Sequence, residues 1–122
     1  MENSEAKKPV YDLEERTFQF AKSVRLFIKS LPKTTANNED AKQVVKASGS
    51  TGANYIEANE ALSKKDFLMR VKISRKEVKE SAYWLRLIDE TNNLENQSEL
   101  KGLISEAIEL KRIFSAIIEK SK

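Results

Sequence analysis

The chain has neither cysteine nor histidine in its 122 residues. Disulfides, thiolate metal sites, haem ligation, Cys nucleophiles and His general bases are therefore excluded together, and most familiar catalytic machinery goes with them. Glycine and proline are scarce, at three and two residues, in a chain that is 34% charged, a composition that favours helices over sheet. No apolar run approaches the roughly 18 residues of a membrane span, and the N-terminus lacks the apolar core of a signal peptide. A single cytoplasmic, soluble domain with no membrane partner, metal or cofactor is expected, large enough to bury a core without covalent staples.

What is present is helical periodicity. The longest uninterrupted stretch runs from Phe67 to Ile88, where Phe67, Val71, Ser74, Val78, Ser81, Leu85 and Ile88 step by fours and threes along one side of a helix. Around it the spacing predicts four helices, over 12–31, 38–62, 64–90 and 97–120. Residues 1–10 are polar and aperiodic and read as a flexible tail, leaving residues 11–122 to the bundle. Asp12 is positioned to cap the first helix, Asn37 or Asn38 the second, and Ser63 the third, with Pro32 stopping the first helix. Leu13, Thr17, Phe20, Val24, Phe27 and Leu31 form the inward seam of the first helix, and Leu100, Leu103, Ile104, Ala107, Leu110, Phe114, Ile117 and Ile118 that of the fourth. Gly102 is the weak position there.

The second helix is less ordinary. Residues 47–54, ASGSTGAN, are all small or polar, and each glycine should cost about 1 kcal/mol relative to alanine inside a helix. Val45, Ser48, Gly52, Tyr55, Asn59 and Leu62 nevertheless hold one register, so the stretch is read as helical, with close backbone approach as the use of the small residues. A phosphate-binding loop does not fit, because no Lys-Ser or Lys-Thr pair follows and no strand precedes. Short connections between four long helices imply an all-α, antiparallel up-down-up-down four-helix bundle.

Two surface patterns bear on function. Lys65, Lys72, Lys76 and Lys79 fall within a narrow arc opposite the seam of the third helix, with Tyr83 in the same stripe. Residues 64–79 carry seven positive and two negative side chains, against two and four for residues 37–63. Such a stripe attracts nucleic-acid backbones by counterion release, and Tyr83 offers a stacking face for an unpaired base; the plainer reading is a solvated face. The second pattern is apolar. Phe18, Leu26, Ile73, Trp84 and Leu87 point away from the seams, as an interface between copies of the chain requires, although single exposed apolar residues also occur without one.

Carboxylates supply an enzyme alternative. Glu57 with Glu60 and Glu77 with Glu80 form two Glu-x-x-Glu pairs on neighbouring helices, a layout similar to that of all-helical nucleoside triphosphate pyrophosphatases, which hold Mg²⁺ with such residues. On helical wheels Glu57 and Glu80 point far from the seams, so ordinary surface ion pairs are the competing account. A ferritin-like di-iron site lacks its Glu-x-x-His elements.

Three blocks, YDLEERTFQFAKSVRLFIKSLPKT, STGANYIEANEALSKKDFLMRVKISRKEVKESAYWLRLI and the final helix, resemble the bacterial four-helix-bundle family of 23S rRNA intervening-sequence proteins. The most specific part is GANYIEAN, followed by the Lys-Asp-Phe start of the third helix and by Lys76, Glu77, Tyr83, Trp84 and Leu85. Other members carry a Pro near Gly52 and a Gly near Ala58, which this chain lacks. The resemblance implies a left-handed bundle that assembles into a ring-like homo-oligomer, usually a pentamer, without established enzymatic activity or small-molecule substrate. A more distant resemblance, to a bundle that assists a diversity-generating reverse transcriptase, implies RNA or other nucleic acid as a partner. A purely structural protein–protein interaction module is the remaining alternative.

Overall fold

The computed structural model describes residues 12–122, so the expected tail lies outside the described residues. Four helices account for most of the chain: α1 (Leu13–Ile28), α2 (Thr35–Asn59), α3 (Lys64–Thr91) and α4 (Gln97–Lys120). No strand occurs among the described residues.

Local side-chain chemistry starts the helices. Asp12 accepts from the backbone N–H of Glu15 at 3.1 Å and Ser63 from that of Asp66 at 3.1 Å, each satisfying one of the first-turn donors that a helix leaves unpaired. The start of α2 departs from expectation. Thr34 is the cap, accepting from Asn37 N–H at 3.1 Å, and the helix begins at Thr35. Asn37 is instead buried and serves tertiary structure: its amide donates to Asn92 Oδ1 at 2.9 Å and receives Asn92 Nδ2 at 3.0 Å. The α1 helix ends at Ile28 rather than 31, yet Leu31 remains buried in the turn that follows.

Every neighbouring pair of helices is antiparallel, as cross-helix bonds at both ends show. Early α1 meets late α2 where Asn59 donates to Glu14 at 2.8 Å, late α1 meets an earlier part of α2 where Arg25 donates to Val45 O at 3.4 Å, and late α2 meets early α3 where Arg70 donates to Asn54 at 2.9 Å. At the far end of that second pair stands Asn37–Asn92. Arg75 of early α3 reaches Ser115 of late α4 at 3.3 Å, while Lys101 and Asp89 meet at 2.9 Å at the opposite end. The ring closes between α1 and α4 through Arg16 and Glu106 at 2.7 Å and through Asn96 and Ser30 at 2.9 Å. Helices pack in chain order, and neither diagonal pair packs closely.

The predicted seams of α1, α3 and α4 form the core. Phe20, Val24, Phe27, Val71, Val78, Leu85, Ile88, Leu100, Leu110 and Phe114 are all buried. On α2 the inward line differs: Asn37, Val44, Ser48, Thr51 and Ala58 are buried, whereas Asn59 is exposed and Leu62, beyond the helix end, is 99% exposed. The expected register was therefore displaced by about one residue. Small side chains from Ala47 to Asn54 offer little apolar contrast with which to anchor a wheel, so its outer members drifted to solvent.

The ASGSTGAN stretch remains within α2. Its use is close packing: a Cβ on Gly52 would lie 2.8 Å from Thr17 Oγ1, closer than side chains tolerate. Polar groups drawn into this contact are satisfied within the helices. Thr17 Oγ1 donates to Leu13 O at 2.7 Å, Thr51 Oγ1 to Ala47 O at 3.0 Å, and Ser74 Oγ crosses to Thr51 O at 2.9 Å. No buried side-chain nitrogen or oxygen lacks a partner among the described residues.

Candidate nucleic-acid interface

The basic stripe of α3 opens into a groove shared with α4. Lys72, Arg75, Lys76 and Lys79 line one side and Lys111 and Ser115 the other, around a volume of about 330 Å³. Five cations face this space with no carboxylate among its lining residues. Successive turns of α3 place Lys72, Lys76 and Lys79 over about 10 Å of helix axis, at 1.5 Å per residue. Arg75 is held in the wall by its bond to Ser115, which fixes one guanidinium nitrogen and leaves the rest of its donor fork available. Glu77, half-buried, stands 3.7 Å from the Nζ of the exposed Lys76, a long pairing that offsets only part of the charge of that one lysine.

Not every expected residue joins this groove. Lys72, Lys76 and Lys79 do; Lys65, in the first turn of α3, and Tyr83, beyond Lys79, do not line it. Both are exposed on the same helix. Tyr83 stacks edge-on against Trp84, with ring centroids 5.1 Å apart and planes at 82°, so its orientation is supported by a neighbour. Arg75, Lys111 and Ser115 were missed by sequence reasoning. Arg75 sits on the flank of α3 that turns toward α4, and Lys111 reveals itself only once the pairing of the two helices is known.

The five apolar residues expected at an interface divide between two faces. Phe18 and Leu26, 60% and 52% exposed, line a groove of about 620 Å³ between α1 and α2, together with Ile56, which is 47% exposed and was not anticipated. Ile73, Trp84 and Leu87 lie on α3 and are half-buried, with Trp84 packed against the core. The carboxylate pairs do not converge. Glu57, Glu60 and Glu80 are exposed and Glu77 is half-buried, and no group of three or more metal-ligating side chains exists among the described residues. No described helix is long and apolar enough to cross a membrane.

Comparison with known proteins agrees with this architecture. A crystal structure of a protein of unknown function from the S23 ribosomal protein family of Bacteroides thetaiotaomicron superposes with a TM-score of 0.74 at 25% sequence identity, covering 86% of this chain and 96% of that one. No curated protein matches. The profile of the 23S rRNA-intervening sequence proteins matches residues 11–116, nearly the whole chain. The chain belongs to the 23S rRNA-intervening sequence protein family.

Proposed function

We propose that the protein is a non-enzymatic, self-associating bundle of the cytoplasm that binds RNA, or another nucleic acid, along its sugar-phosphate backbone at the α3–α4 groove. The observation that carries this reading is the convergence of Lys72, Arg75, Lys76, Lys79 and Lys111 on one groove free of lining carboxylates. Cations on successive turns suit a polyanion better than a compact ligand, and Tyr83, one turn beyond Lys79, supplies a ring on which an unpaired base can stack. Self-association is supported by the exposure of Phe18, Leu26 and Ile56 around one groove. The family resemblance makes a ring the expected assembly and a pentamer the expected count. Repetition around a ring multiplies the basic groove, strengthening a field that a net charge of +3 leaves modest in one copy.

The pyrophosphatase alternative loses its geometric support, because Glu57, Glu60, Glu77 and Glu80 form no common ligand set. The test is fluorescence anisotropy of a labelled single-stranded RNA across a salt series. Binding should weaken linearly on a log–log plot with salt, and replacing Lys72, Lys76 and Lys79 by Glu should lower affinity more than tenfold and flatten the slope at unchanged helix content. Lys111→Glu should act in the same direction. Undiminished binding by these variants clears the groove of the role, and absence of binding by the wild type favours a purely protein–protein module.

A further inference from the structure

Apart from Leu62, Tyr83 and Ile108, the exposed large apolar residues fall on two faces, one on each side of α2, and the charges around them have opposite sign. On the first face, the α1–α2 groove, the apolar walls Phe18, Leu26 and Ile56 are accompanied by Lys22, Arg25 and Lys29. Its single acid, Glu14, is occupied by Asn59. The second face runs along α3 on its α2 side. At about 100° per residue, Met69, Ile73, Trp84 and Leu87 share an arc of roughly 60° with Asp66 and Glu80. Glu57 of α2 borders it one turn beyond Asn54, the residue that receives Arg70 of α3.

We infer that these faces bind each other between copies of the chain: the α1–α2 groove of one copy takes the acidic, apolar α3 flank of the next. The inference rests on the self-association proposed above and names the surfaces that carry it. Pairing the groove with itself would bring the Lys22, Arg25 and Lys29 row against its own copy, whereas pairing it with the α3 flank brings that row against a face whose charges include Glu57, Asp66 and Glu80. The apolar walls then meet Met69, Ile73 and Leu87 instead of water. Because the two faces are different, the contact is heterologous and each copy keeps one face free for the next. The α3–α4 groove lies on neither face and stays open.

Two variants disable one face each at exposed positions. Phe18→Glu with Leu26→Glu closes the groove to an acidic partner, and Met69→Lys with Glu80→Lys reverses the flank. By light scattering coupled to size exclusion, the wild type should be an oligomer and each variant alone a monomer with unchanged helix content. Mixed in equal amounts they should reassociate into species heavier than either monomer, since the intact groove of one variant meets the intact flank of the other. If Phe18→Glu lowers helix content, Lys22→Glu with Lys29→Glu serves as the groove variant. Variants that stay oligomeric, or a mixture that stays monomeric beside an oligomeric wild type, overturn the assignment of faces while leaving self-association intact. A monomeric wild type overturns self-association itself, and with it the pairing of these faces.

Discussion

Thr17 and Gly52 mark the closest approach of α1 to α2: a Cβ placed on Gly52 would stand 2.8 Å from Thr17 Oγ1 and 3.2 Å from its Cβ. Thr17 cannot yield easily, because its hydroxyl is committed to Leu13 O at 2.7 Å and its side chain is buried. Gly52→Ala should therefore destabilise the fold by about 1–3 kcal/mol despite the better helix propensity of alanine, measured by urea denaturation. Adding Thr17→Ala, which removes the Oγ1 that the new Cβ would meet, should recover part of that loss.

Gly102 predicts the opposite. It lies in an exposed turn of α4, where a Cβ added to it would meet nothing within 4 Å. Gly102→Ala should raise stability by about 0.5–1 kcal/mol through backbone entropy and propensity alone. A destabilised Gly102→Ala would point to a contact absent from the isolated chain.

Asn37 and Asn92 exchange amide hydrogen bonds at 2.9 and 3.0 Å, joining the start of α2 to the end of α3, while Asn37 also donates to Pro32 O at 3.0 Å and Asn92 to Ile88 O at 2.9 Å. Asn92→Ala leaves the buried Asn37 carbonyl oxygen without its donor, at a cost of about 1–3 kcal/mol. A double-mutant cycle with Asn37→Ala should show coupling, since the second substitution removes the group that the first left unpaired.

Asp89 supplies a pH dependence. Gln97 Nε2 donates to its Oδ1 at 2.6 Å and Lys101 Nζ to its Oδ2 at 2.9 Å, and these bonds hold the carboxyl below the ordinary carboxylate range. A depressed folded-state value means that the contribution is fully present above the unfolded value, near 4, and is lost as pH falls through the lower folded one. Because Lys101 is largely exposed, the contribution is discounted to about 0.5–1 kcal/mol. The stability gap between wild type and Asp89→Asn should be present at pH 7 and should narrow as pH falls below the unfolded value and through the lower folded one; a gap unchanged by pH would contradict this account.

How much of this was legible beforehand depended on side-chain contrast. Val71, Val78, Leu85 and Ile88 announced the seam of α3 because large or β-branched residues recur there among charges, with Ser74 and Ser81 falling on the same line, and all six are buried. On α2 the same method misplaced the inward line, since from Ala47 to Asn54 the chain reads by smallness, and smallness does not distinguish a core-facing glycine from one facing a neighbouring helix. Asn37 looked like a cap because caps and buried amide pairs use the same residue type, and only its partner Asn92, 55 positions away, separates them. The basic groove was half visible. Lys72, Lys76 and Lys79 lie on one helix, while Lys111 belongs to another and joins them only through packing. Phe18 and Leu26 pointed outward correctly, but their common groove with Ile56 depends on the α1–α2 contact that Gly52 permits.

The most direct single measurement is the light-scattering mass of the protein eluting from size exclusion, at low and high salt, with and without single-stranded RNA. The account predicts a defined oligomer in the absence of RNA, which gains mass with RNA at low salt and releases it at high salt. A monomer whose mass is indifferent to RNA at either salt concentration would contradict both the assembly and the role of the α3–α4 groove.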